Sequence, residues 1–187
     1  LSLTNPVRLS ADPSSMRPAG LKEEFVRIRG MRQAHKEAVL LALCSKTFKS
    51  RVIIFSGQRN TAHRLKILFG LAGYKAAELH SKITQAQRLD ALELFRKHEV
   101  DFLITTDLSC RGLDVADVQT VINFACPTNF TTYVHRVGRT ARAGKSGCAV
   151  TFYTDKDRSR LKAIVKKAGA KLTSRIVSEE AINKWVE

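Results

Sequence analysis

Short apolar runs rich in β-branched residues recur along this chain, and the segments between them repeat their apolar positions at helical spacing. Val52-Ile53-Ile54-Phe55 and the run over residues 102–106 are apolar on both faces, as strands covered on two sides should be. Further strands are expected at 24–29, 76–79, 121–124 and 149–153. Helices fit between them: 35–44 with Val39, Leu40 and Leu43 on one face, and 60–72 with Leu65, Leu68 and Phe69, closed by Gly73. Thr84-Gln85-Ala86-Gln87 matches a capping box, so a helix starts there and runs through Leu89, Leu92 and Phe95. Two more are expected at 155–168 and 178–185. This alternation specifies an α/β domain with a parallel sheet flanked by helices on both faces. Such sheets bind ligands beyond the carboxyl ends of their strands, here the loops after residues 55, 79, 106 and 124.

The chain's 187 residues suit one domain. Residues 1–23, with Pro6, Pro13 and Pro18, read as an extended connector, 24–154 as the domain and 155–187 as a basic helical extension. A start at Leu1 rather than Met points to a piece of a longer chain. No apolar run approaches the ~18 residues of a membrane span, and no partner membrane is expected. The excess of 32 Lys+Arg over 17 Asp+Glu leaves a formal charge of +15 and favours a polyanion, nucleic acid first. Cys44, Cys110, Cys126 and Cys148 lack metal-ligand spacing, so no metal site and buried free thiols are expected.

The most informative stretch is Tyr133-Val134-His135-Arg136-Val137-Gly138-Arg139-Thr140-Ala141-Arg142-Ala143-Gly144. Its arginines recur every third residue, which puts them roughly on one side of a helical turn. No Asp or Glu lies between Val118 and Thr154 to neutralise them. A generic Arg-x-x-Arg is usually a solvated basic face. Three uncompensated guanidinium forks beside glycines point instead to bound phosphate.

The string from His135 to Gly144 resembles motif VI of the DEAD-box RNA helicases. Thr105-Thr106-Asp107-Leu108-Ser109-Cys110-Arg111-Gly112-Leu113-Asp114 resembles their motif V, Val52–Phe55 the strand of motif IV, and Gln85-x-x-Arg88 the Gln-x-x-Arg element. Order and spacing agree from about Glu24 to Thr154. The strings at 24–29 and 121–124 are similar to the nucleolar Drs-type branch. The resemblance implies the second RecA-like half of an ATP-dependent helicase, in the nucleus and nucleolus, with RNA and pre-ribosomal assembly factors as partners.

By position in those motifs, Arg139 and Arg142 would act as fingers toward the γ-phosphate of ATP. Asp114, Arg111 and Gly112 would serve the nucleotide, with a turn cap as the plainer role for Asp114. His135 and Arg136 would hold the motif and contact the first RecA-like domain. Thr106, Arg88, Gln85, Gln58 and the loop His80-Ser81-Lys82 would meet the RNA backbone. Two positions depart from the family pattern: Ser81 where Gly is usual, and Gln58 where Thr is expected.

The sequence contains no phosphate-cradling Gly-x-x-x-x-Gly-Lys-Ser/Thr loop and no Asp-Glu-Ala-Asp box. ATP and Mg2+ would therefore be held mainly by the first RecA-like domain, and this piece alone is expected to be inactive. Three rival readings remain. One is a stand-alone basic RNA-binding module, another a DNA helicase half, and the third a Rossmann-like domain, although Ser56-Gly57-Gln58-Arg59 lacks the glycine fingerprint. The stretch 156–175 holds eight Lys/Arg against one acid. It either extends the RNA path or is the polar face of a terminal helix. Trp185 reads as a packing residue.

Overall fold

In the computed structural model, which describes residues 18–186, six parallel strands form one sheet in the order β1-β6-β5-β2-β4-β3. They are β1 Leu21–Arg27, β2 Val52–Phe55, β3 Ala76–Leu79, β4 Phe102–Thr105, β5 Thr120–Asn123 and β6 Gly147–Tyr153. The helices are α1 Lys36–Lys46, α2 Arg59–Leu71, α3 Gln85–Arg96, α4 Asp107–Cys110, α5 Phe130–Val137, α6 Arg158–Lys167 and α7 Glu179–Asn183.

The two-sided apolar strands are covered on both faces. Val52 and Ile54 of β2 pack with α1, α2 and α7, while Ile53 and Phe55 pack with α3 and the chain after α4. Each such residue stabilises the fold by roughly 1.5–3 kcal/mol relative to exposure. α5 and α6 cover the β6–β1 end of the second face. Among the described residues no helix is long and apolar enough to cross a membrane.

Several element ends shift by one to three residues and the short helix α4 is unexpected; three larger differences bear on the site. β1 begins at Leu21, because pairing with Gly147 extends it into the expected connector. The rest of that connector, residues 1–17, lies outside the described residues. α5, embedded in the arginine-bearing string, is an extra helix started by Asn129, whose side chain accepts from the Thr132 amide at 2.8 Å. The basic tail is integral to the domain. Its backbone pairs with β1 at Phe25, Arg175 binds Glu24, and Val177, Ala181 and Ile182 join the main core. Trp185 packs near Tyr74, with ring centroids 6.1 Å apart.

Candidate functional site

The carboxyl ends of β2, β3 and β4 stop level, with Phe55 and Leu79 both opposite Thr105. A cavity of about 530 Å³ opens beyond them, lined by Gln58, Ser81, Thr106 and Leu108 among others. Gln58 is the N-cap of α2 yet makes no capping bond, so its amide is free to bind. Ser81 is absent from the residues with positive φ, so its β-carbon is accommodated there without backbone strain. Thr106 donates to Ser109 Oγ at 3.2 Å, and Arg88 reaches around to the Ser109 carbonyl at 2.7 Å. Gln85 and Lys82 are exposed beside the α3 capping box formed by Thr84 and Gln87.

His80 does not face this cavity. It is 9% exposed, and its Nδ1 accepts the Lys82 amide at 3.2 Å. That bond uses the Nδ1 lone pair, so the ring proton is assigned to Nε2, which donates to Glu78 at 3.0 Å. Glu78 also lies 3.1 Å from His63. A metal at His80 Nε2 would need the proton on Nδ1, which the Lys82 amide forbids. The cluster is a hydrogen-bonded relay in which His80 ties the loop at Lys82 to Glu78 of β3.

The three arginines do not share one face. Arg136, in the last turn of α5, points inward at 4% exposure. Its Nε and Nη2 donate to the two carboxylate oxygens of Asp107 at 2.6 and 2.8 Å, and Nη1 donates to the Ala125 carbonyl at 2.6 Å. Arg136 therefore fastens the string, and a second domain has little of it to touch. Asp107, which carried no role in the sequence reading, is the acid that compensates it. Its place just after β4, across from the string only in space, hid the pairing.

α5 stops at Gly138, so Arg139 and Arg142 sit on a returning loop instead of a continued helix. Thr140 pins that loop by donating to the Val118 carbonyl at 2.7 Å. Gly147 lets it approach, since a β-carbon there would lie 2.2 Å from Thr140 Oγ1 and 2.6 Å from the Ala141 nitrogen. Ala141 and Ala143 adopt positive φ (55° and 54°), a backbone region costly for residues with a β-carbon. On the facing loop Gly112 has φ 69° with open space where a side chain would stand, so its need for glycine is the turn itself.

Arg139, Arg142 and Asp114 all line a cavity of about 1120 Å³ shared with Arg51, Gln119 and Gly147, residues at the amino ends of strands. Arg139 also meets the carboxyl edge, where it lines a small cleft with Phe55 and Asp107, so it stands between the two ends of the sheet. Arg139 donates through Nη1 to the Leu113 carbonyl at 2.7 Å. Arg142 Nη1 lies 3.6 Å from the Asp114 carboxylate, whose side chain is 97% exposed. Arg111 and His135 are exposed and line a small cleft between the two cavities with Asp107 and Arg139.

Residues 35–144 match the family described as helicase conserved C-terminal domain. The chain belongs to this family, in its DEAD-box branch. It is 69% identical over 185 residues to the DEAD-box ATP-dependent RNA helicase 28 of Arabidopsis thaliana, covering 99% of this chain and 23% of that protein. Against the ATP-dependent RNA helicase drs1 of Aspergillus clavatus the identity is 47% over 188 residues, covering 99% of this chain and 23% of that one. The helicase domain thus spans less than a quarter of the length of these relatives. Among solved structures, S. cerevisiae Dbp5 bound to RNA and ADP BeF3 superposes with a TM-score of 0.80 at 28% identity, over 94% of this chain and 48% of that one. The E. coli DEAD-box protein SrmB bound to the regulator RraA gives 0.78 at 30% identity, over 86% and 93%.

In this helicase domain the carboxylates lining the larger cavity are Asp114 and Asp117. Asp117 is paired with Lys145, which draws its carboxyl below the usual range, and Asp114 faces Arg142. That set does not fit a Mg2+ held by this domain's own residues. Cys148, on the same cavity wall, is pushed up to about 11 by burial, and burial also raises Cys110 beside Arg139. Both stay protonated at neutral pH and serve as packing groups.

Proposed function

We propose that this helicase domain is the second of two RecA-like halves of an ATP-dependent RNA helicase. In this reading Arg139 and Arg142 face the γ-phosphate of ATP carried by the first half, and Asp114 accepts from the ribose hydroxyls. The observation that carries it is the convergence of Asp114, Arg139 and Arg142 on one cavity wall. Neither arginine is spent on a buried carboxylate, unlike Arg136. Arginine suits this role because it keeps its charge and delivers two parallel N–H donors to phosphate oxygens. Aimed at charge that develops during transfer, such a group is worth ~10³–10⁵ in rate in other nucleotide hydrolases.

RNA binds at the other cavity. Gln58, Ser81 and Thr106 line it, Arg88 braces its floor through Ser109, and Lys82 and Gln85 flank it. Hydroxyl, amide and backbone donors of this kind position phosphates without reading bases. Closure of the two halves around ATP and RNA, opened again by hydrolysis, would separate a short duplex locally. Mg2+ belongs with the first half, since the acids here do not fit it. The 47% identity to drs1 supports a place in the Drs-type branch, with ribosome assembly, pre-ribosomal factors and a nucleolar location following from that branch. Imaging of the tagged full-length protein checks the location.

The test of the central reading is RNA-stimulated ATPase of the full-length protein, wild type against Arg139→Ala. A loss of at least ~10³ in kcat with RNA affinity retained is expected. Unchanged turnover would remove the finger assignment and favour a stand-alone RNA-binding module.

A further inference from the structure

The basic stretch after β6 has no part in either cavity. α6 buries Leu161, Ile164 and Val165 and turns the opposite face outward. Arg158, Lys162 and Lys166 follow at intervals of four along the exposed side, with Lys156 before the helix and Lys171 after it, while Lys167 turns onto the Phe130 ring at 4.8 Å. Some basic residues elsewhere on the surface have acids beside them. Arg64 meets Glu37 at 2.7 Å, Arg27 meets Asp155 at 2.6 Å, and Arg96 and Lys97 both meet Glu93. Others, such as Arg59, Lys66 and Lys75, have none among the described residues. The α6 segment differs in gathering six such residues within positions 156–171. Among the described residues, none of those six has a carboxylate within ion-pair distance. The one acid in the stretch, Asp157, is occupied by Arg160 at 2.7 Å and the Thr154 amide at 2.9 Å.

This arrangement is unfavourable for the helix by itself. Like charges four residues apart repel, and Arg158 and Arg160 sit in a first turn that favours acids. A polyanion along the stripe would reverse both effects. A protein partner is less suited, because the exposed face offers only Ser159 and Ala163 between the charges and no aromatic or large apolar anchor. The position also fits a nucleic acid. α6 starts where β6 ends, and β6 lies two strands from β2 in the sheet, roughly 10 Å at the usual strand spacing. The stripe therefore starts at the same edge as the Gln58–Thr106 cavity and runs from there toward the amino ends of β1 and β6, where Ile164 and Ala168 pack with Leu21 and Ala149.

We propose that the outward face of α6 is a second RNA-backbone surface, which holds RNA flanking the cleft independently of the nucleotide. This rests on the RNA-helicase reading above. The test uses the full-length protein and its Lys162→Glu/Lys166→Glu variant, with the milder Lys162→Gln/Lys166→Gln variant as a control for folding. Binding of two single-stranded RNAs, one filling only the cleft and one with a long flank, is measured without nucleotide across a salt series.

For the flanked strand the Glu variant should bind on the order of 10-fold more weakly, and its salt slope should fall by about 1.4, for two phosphates no longer neutralised. Affinity for the short strand and kcat at saturating RNA should be unchanged. Equal affinity and slope for the flanked strand would overturn the proposal, as would loss of an acidic protein partner with RNA binding intact. Because this readout needs no hydrolysis, it can succeed even if Arg139→Ala disproves the finger role.

Discussion

Arg136 and Asp107 form a two-pronged pair at 2.6 and 2.8 Å, with the guanidinium almost wholly out of water. It joins the arginine string to the loop after β4, so the loops around the two cavities share one fastening. Asp107 is 39% exposed, so water can reach it once Arg136 is removed, and the cost falls below that of a fully buried pair, to about 1.5–3 kcal/mol for the lost charged hydrogen bonds. Arg136→Ala should show that loss in urea denaturation, and Arg136→Lys should recover only part of it because a lysine cannot bond both oxygens at once. A wild-type midpoint for Arg136→Ala would mean that the pair is not formed.

Gly147 is the floor on which the Arg139–Arg142 loop rests. A methyl there must displace Thr140 or the Ala141 backbone, an overpacking worth ~1–3 kcal/mol. Gly147→Ala should lower stability by that amount and reduce ATPase of the full-length protein beyond what the stability loss explains. Full activity in a folded variant would show that the loop tolerates a shift.

The Glu78–His80 relay holds the Lys82 amide. His80→Ala removes its acceptor, and the net worth of such a bond is ~0.5–1.5 kcal/mol. Hydrogen exchange at the Lys82 amide should speed by roughly 2- to 10-fold on that scale. Glu78→Gln keeps an acceptor for His80 and should change it less. Identical exchange in His80→Ala would refute the relay.

Burial alone would raise the Glu24 carboxyl, but its ion pairs with Arg175 and Lys22 outweigh that and hold it below its ordinary value of 4.5. A carboxyl depressed in the folded state stabilises fully above its unfolded value and loses that contribution as pH falls through the folded one. The link between β1 and the segment after α6 should therefore weaken as pH falls below 4.5 and through the lower folded value. Glu24→Gln should be less stable than wild type at pH 7, with the gap closing as the Glu24 carboxyl takes up its proton. A gap that persists at low pH would point to shape rather than charge.

Much of the fold was legible because its signals are local. Val52–Phe55 and Ala76–Leu79 match their expected bounds, since β-branched apolar runs and the capping box at Thr84 act over a few residues. α5 escaped because Asn129 caps it and its string was read for charge rather than for helix ends. Ser81, where the family usually has glycine, lies outside the positive-φ region, so its backbone does not require glycine.

What the sequence determined by itself was the strands, the longer helices between them, the parallel covered sheet and which side chains have the chemistry for phosphate. Tertiary structure decided the direction of each one. Arg136, Arg139 and Arg142 are chemically equal and evenly spaced, yet Asp107 takes the first inward while the Gly138 helix end and the Gly147 contact leave the others on a returning loop that lines the larger cavity. The physical reason is that a charge partner brought close by folding outweighs spacing along the chain, and a buried guanidinium must find one.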